Sequence, residues 1–154
     1  MTARPGVSTS IRVDDDGFGA ALERMLRVVP TLQPVMEEMG GVLEASAQQR
    51  FEDEEGPDGT PWPRLAASTR ARRGDDARIL RDRGHLVQSI TSKATRLEVA
   101  VGSNKAQARV HQLGGKAGRG LKVEIPARPY LGISDEDRMA IGDVLNAKLE
   151  EVVG

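Results

Sequence analysis

Val7, Ile11 and Val13 alternate with polar neighbours, the spacing of a strand with one buried face. Asp14-Asp15-Asp16-Gly17 closes it. Three successive carboxylates look like a metal loop, but the distal glutamate of the calcium spacing is absent, so the run predicts a turn and a helix N-terminus. From Phe18 the period turns helical, with Phe18, Leu22, Met25, Leu26 and Val29 on one stripe. Pro30 ends or kinks that helix. Thr31 is placed to cap a second one, with Pro34 in its first turn and Leu32, Val35, Met36, Met39, Leu43, Ala47 and Phe51 on its apolar face. Gly40-Gly41 inside it marks either close packing or a bend, and the acidic run 52–55 is expected to fray its C-terminal end.

Beyond the turn-rich residues 56–63 the pattern becomes sparse. Leu97, Val99 and Val101 alternate with Glu98 as a half-buried strand, and 89–93 reads as its hairpin partner. Ser103 and Asn104 are placed to cap a short helix through Ala106, Ala108 and Val110 to Leu113, stopped by Gly114-Gly115. Residues 114–122, rich in glycine and base, read as a mobile loop or a hairpin tip. Pro126 and Pro129 stiffen an extended segment, since each also biases its predecessor away from helix. Ser134 opens a final helix with Asp137 completing a capping box, and Ile141, Val144, Leu145, Leu149 and Val152 form its apolar face. The predicted class is α+β: N-terminal helices, a small mainly antiparallel sheet and a C-terminal amphipathic helix, in one domain over 1–154 with a flexible N-terminus at 1–6.

Composition narrows the chemistry. Of the 154 residues only Phe18, Phe51, Trp62 and Tyr130 are aromatic, so the core is aliphatic and thin. There is no cysteine, which excludes disulfides, thiolate metal sites and cysteine nucleophiles. The formal charge of −1, from 22 basic and 23 acidic residues, gives no global pull toward nucleic acid or lipid. No signal-peptide core and no membrane-length apolar run is found, so a soluble chain that stays in the cytosol is expected. His85 and His111 lack a second histidine at metal spacing, and neither a serine-elbow nor a zinc-protease motif is present. No metal, cofactor or catalytic residue is predicted. A carboxylate-based hydrolase is a weaker reading, because the carboxylates cannot be paired across a cleft from sequence.

Trp62 between Pro61 and Pro63 is a structural plug pinning a loop or, more sharply, a ligand site. The stretch 70–83, with Arg70, Arg72 and Arg73, and the segment 116–122, with Lys116, Arg119 and Lys122, are candidate phosphate contacts. No aromatic residues interleave with the first of them, so base stacking is not supported. The plainer reading is a solvated surface, or a complement to the acidic end of the second helix. The phosphate-loop pattern fails at Lys116, which Ala117 follows in place of a hydroxyl residue.

Several segments together resemble the phage virion morphogenesis family. They are Phe51, Pro57-Asp58-Gly59 with Trp62, Thr69 and Arg72, then Ile79-Leu80 with Gly84, Leu86 and Ser89-Ile90. Val101-Gly102 with Asn104, His111-Gln112-Leu113-Gly114, and Ile125-Pro126-Ala127-Arg128-Pro129-Tyr130-Leu131-Gly132 follow. Leu113 and Tyr130 stand where the family usually has Phe, and Gln107-Ala108 where it has an aromatic–Ala step. The resemblance implies a structural protein that completes the tail or closes the neck at the head–tail junction of the virion. It implies assembly in the bacterial host cytoplasm, a homo-oligomeric ring with six copies favoured, and other neck and tail proteins as partners. It brings no catalytic residues. In that picture Trp62, His111, Gln112, Arg128, Pro129 and Tyr130 are interface candidates, with 128–130 as a presentation segment. The plain alternative packs Tyr130 on the sheet and pairs Arg128 with a carboxylate. A small DNA-contacting protein using 70–83 and 116–122 is the second functional reading, and non-specific contact with channel DNA is compatible with both.

Overall fold

The computed structural model describes residues 8–10, 16–96 and 98–153. Val7, Ile11, Val13, Asp14, Asp15, Leu97 and the N-terminal residues 1–6 lie outside the described residues. The elements run β1 (Ser8–Ser10), α1 (Asp16–Leu26), α2 (Gln33–Asp53), α3 (Ala67–Arg73), α4 (His85–Gln88), β2 (Thr91–Ala94) and β3 (Val99–Gly102). They continue with α5 (Ala108–Leu113), β4 (Gly115–Ala117), a 3₁₀ turn (Arg119–Leu121), β5 (Val123–Ile125) and α6 (Asp135–Val153). This is the expected α+β class: among the described residues, six helices, two small antiparallel sheets and a closing helix. The chain divides into two compact units. The first comprises Met1–Ser8, Ala47–Ile90 and Gly102–Gly132, the second Thr9–Ser46, Thr91–Val101 and Ile133–Gly154.

In the second unit α1 packs against α6, and Met25, Leu32, Val35, Met36, Leu43, Val101, Ile141 and Leu145 are buried. Leu26 departs from the expected stripe and is exposed; it lies about 100° round the helix from Met25, which is buried. Helix α2 runs through Gly40-Gly41 unbroken, which settles the choice in favour of close packing. A Cβ on Gly40 would lie 3.1 Å from Ser92 Oγ and 3.3 Å from Val99 Cγ1, whereas one on Gly41 would meet nothing within 4 Å. Thr31 Oγ1 accepts the Gln33 N–H at 3.2 Å at the helix entry. Glu44 Oε2 accepts both the Ser92 N–H (2.9 Å) and its hydroxyl (3.0 Å), tying β2 to α2. The sheet order is β1-β3-β2. Ser134 and Asp137 form the expected capping box reciprocally, at 2.9 and 3.0 Å.

The first unit holds residues 47–53 of α2, then α3, α4, α5 and the β4–β5 hairpin. Phe51, Trp62, Ile79, Leu86, Ile90, Ala108, Tyr130 and Leu131 are buried in it. The expected fraying of α2 at its acidic end does not occur. Glu54 turns the chain with φ 55°, its N–H bonding Arg50 O at 2.8 Å. Arg78 bonds Glu52 O (2.6 Å) and pairs with Glu54 (3.2 Å), Arg81 pairs with Glu52, and Glu54 accepts the Ile79 N–H (2.9 Å). The unfavourable helix-dipole term is thus offset by cations brought back from 78–81. Residues 103–107 form a turn instead of the start of a helix, with Ser103 Oγ accepting the Lys105 N–H at 3.1 Å. Residues 114–122 form a hairpin with 123–125: Gly115 stands opposite Ile125, Lys116 opposite Glu124 and Ala117 opposite Val123.

Candidate functional site

The sequence-predicted interface residues converge on one structure within the first unit, a clamped extended strap at residues 126–132. Pro126 and Pro129 keep it extended, and the backbone groups of such a segment need partners once buried. Side chains supply most of them. Gln112 Oε1 accepts the N–H of Tyr130 (3.0 Å) and of Leu131 (2.9 Å), while its Nε2 donates to Leu131 O (3.1 Å). Arg50 Nη1 donates to Tyr130 O (2.9 Å) and Gly132 O (3.2 Å). Trp62 Nε1 donates to Pro129 O at 2.8 Å. The Arg128 N–H reaches His111 O at 2.7 Å. Gln112 therefore does for the strap what a neighbouring strand does in a sheet.

Beneath the strap Phe51 meets Trp62 edge to face (5.5 Å, 83°) and Tyr130 at a tilt (5.3 Å, 50°). Three of the chain's four aromatics are gathered here, and such pairs stabilise by about 0.5–1.5 kcal/mol beyond their buried area. The Tyr130 hydroxyl donates to Ala108 O at 2.8 Å, and burial pushes its pKa up to about 12. Pro57-Asp58-Gly59 forms the tight turn that brings Trp62 back: Gly56 N–H bonds Thr60 O, and Trp62 N–H bonds Glu54 O. The Thr60 N–H on its carboxylate holds Asp58 below the usual range.

This geometry corrects the presentation role for 128–130. Tyr130 is 0%, Trp62 4% and Arg128 5% exposed, so their side chains face inward. Among the described residues Arg128 pairs with no carboxylate; its Nε and Nη2 donate to Pro63 O (2.8 Å) and Arg64 O (2.9 Å), fixing the proline-flanked loop. Arg50 was not among the predicted site residues. Its signal was its place on the apolar side of α2, seven residues after Leu43 and three after Ala47.

The phosphate candidates differ in their surroundings. Arg73 pairs with Asp82 (3.4 Å) and donates to Arg78 O, and Arg72 is exposed. Arg70 is half-buried, its Nε without a partner. Lys116, Arg119 and Lys122 are exposed on the hairpin, with no ion pair among the described residues. A concavity of about 330 Å³ within the unit is lined by Arg73, Asp82, Arg83, His85, His111 and Arg128 together with Leu65, Leu80, Leu86 and Ile125, a mixed basic and apolar set. Among the described residues no group of three potential ligands could hold a metal, and no helix is long and apolar enough to cross a membrane.

His111 carries a pH consequence. Burial, then the charge of Arg128, holds its pKa below the ordinary value, and its buried Nδ1 has no partner. The unfolded imidazole takes up its proton near pH 6.5, so below that value the unfolded state binds more protons until the lowered folded pKa is reached. Stability therefore rises with pH through this window and falls on acidification. Thermal unfolding between pH 7 and about 5.5 should show that fall, and His111→Gln should flatten it. An equal slope in both proteins would rule His111 out as its source.

The sequence profile of the phage virion morphogenesis family matches residues 13–150. The chain belongs to that family. It is 39% identical over 123 residues to Mu-like prophage FluMu G protein 2 of Haemophilus influenzae, covering 79% of this chain and 81% of that protein. It is 30% identical to tail completion protein S of Escherichia phage P2 (83% and 94% covered) and 32% identical to putative capsid assembly protein G of Escherichia phage Mu (72% and 75%). No solved structure matches significantly. The two blocks that carry the family resemblance most clearly, 111–114 and 125–132, are the two sides of the Gln112 clamp. Their joint occurrence has a physical reason: each satisfies the other's backbone.

Proposed function

We propose that the protein is a structural subunit of a tailed phage or phage-derived particle that completes the tail or closes the neck at the head–tail junction. In this reading it works in the virion as a ring of copies, six favoured, beside other neck and tail proteins, and performs no catalytic step. It assembles in the host cytoplasm. The relative named tail completion protein S, matched over nearly its full length, supports the assignment. The observation that carries it on the structural side is the β4–β5 hairpin. A two-stranded ribbon is marginal in water unless something packs on it, and here residues 118–124 are all exposed. A surface arm of this kind is ordered by contact with a neighbour.

The experiment is mass measurement in solution together with imaging of purified particles. A closed oligomer, and density for the protein between head and tail, are expected. A chain that stays monomeric at high concentration and is absent from particles overturns the reading. Contact with DNA is a second reading, supported by the exposed Lys116, Arg119 and Lys122, which have no ion pair among the described residues. It requires duplex binding that falls steeply with salt.

A further inference from the structure

The near-zero net charge conceals a division between the two units. The 22 basic and 23 acidic side chains fall as 15 and 9 in the first unit and 7 and 14 in the second, giving +6 and −7. The Glu52 and Glu54 carboxylates of the first unit are already paired with Arg78 and Arg81, so they do not mask the excess positive charge elsewhere in it. Part of that excess is exposed on the hairpin, at Lys116, Arg119 and Lys122, beside exposed Leu121 and Val123. Glu124 stands across from Lys116 in the register without pairing with it. The second unit offers the complement on α6. Glu136, Met139, Asp143 and Glu150 recur at three-, four- and seven-residue steps, which places them on one helix face about 21 Å long. All four are exposed, Met139 at 71%, and the three carboxylates have no ion-pair partner among the described residues. At about 100° per residue, Arg138 and Lys148 fall off this face.

We infer that the basic, apolar-tipped β4–β5 hairpin of one copy docks on the acidic, methionine-bearing face of α6 in a second copy. Two different patches of the same chain meet in this contact, so it is heterologous, and it closes into a ring when the rotation between copies divides a full turn. Charge supplies steering and register, while Leu121, Val123 and Met139 supply apolar burial. The inference rests on the ring reading above and names the surfaces that would build it.

The test is a charge swap followed by sedimentation velocity. Variant A carries Lys116→Glu, Arg119→Glu and Lys122→Glu; variant B carries Glu136→Lys, Asp143→Lys and Glu150→Lys. All six sites are exposed, and circular dichroism with Trp62 fluorescence verifies each fold. Each variant alone should associate at least a hundredfold more weakly than the wild type. An equimolar mixture should regain the wild-type mass, because every A–B junction then opposes unlike charges. A single chain carrying all six changes should also self-assemble, which keeps the test valid if either triple variant folds poorly. If wild type forms a ring and variant A forms the same ring, the hairpin contact is overturned while the ring reading stands. Wild-type protein that never associates brings down both. A variant A that keeps its mass but loses salt-sensitive binding to a duplex oligonucleotide assigns the hairpin to DNA and overturns the inference.

Discussion

Tyr130→Ala is expected to destabilise the first unit by about 4 kcal/mol, the usual range for deleting a buried aromatic side chain being about 3–5. The ring is fully buried against Phe51, and its hydroxyl holds Ala108 O at the start of α5. Tyr130→Phe keeps the ring and leaves one buried carbonyl without its donor, a loss of about 1–2 kcal/mol. Trp62, the chain's one tryptophan, sits in the same cluster, so urea unfolding followed by its fluorescence reads this unit directly. Equal midpoints for Tyr130→Ala and the wild type would mean the cluster does not hold the strap.

Gly114→Ala should cost about 3 kcal/mol for a different reason. Gly114 stops α5 with φ 73° and ψ 173°, a region that is essentially glycine-only and in which a Cβ costs roughly 1–3 kcal/mol. That Cβ would also lie 2.9 Å from Ala127 N and 3.1 Å from Ile125 O, backbone atoms that cannot rotate away, and such overpacking costs about 1–3 kcal/mol more. Gly132 meets the same obstacle, with φ 153° and Pro57 Cγ 2.5 Å from the Cβ position. Gly41→Ala is the control. Its Cβ meets nothing, so it should raise stability by about 0.5–1 kcal/mol through helix propensity. If Gly114→Ala unfolds at the wild-type urea concentration, the close approach of 114 to the strap is not what the glycine serves.

These two positions show where the sequence is readable and where it is not. The helices α2 and α6 were legible because apolar spacing and caps are local: Thr31, Ser134 and Asp137 act where their patterns place them. The strand at 99–102 was legible for the same reason. The site was half legible. The blocks at 111–114 and 125–132 stood out as a pair, but not the way they bind each other. Gln112 accepts from residues 18 and 19 positions ahead, and Arg50 reaches across 80. No local pattern encodes such a reach. Reading Arg128 and Tyr130 as surface anchors followed from their residue types, and burial against carbonyls and rings set a different role. The link between the acidic run at 52–55 and Arg78 was foreseen only as complementarity. Its effect, a helix end that turns sharply at Glu54, needed the fold.

The strap also bears on how copies are kept from associating wrongly. An extended segment with free N–H groups is a template for strand addition, a hazard for any chain at high local concentration. Here Pro126 and Pro129 offer no donor, and the N–H groups of Arg128, Tyr130 and Leu131 are already taken by His111 and Gln112. Because a carbonyl and a side chain of the same molecule occupy these sites, no foreign strand can zip onto them. Removing the Gln112 amide would therefore expose two adjacent donors and open a route to fibrillar growth that the native molecule keeps shut.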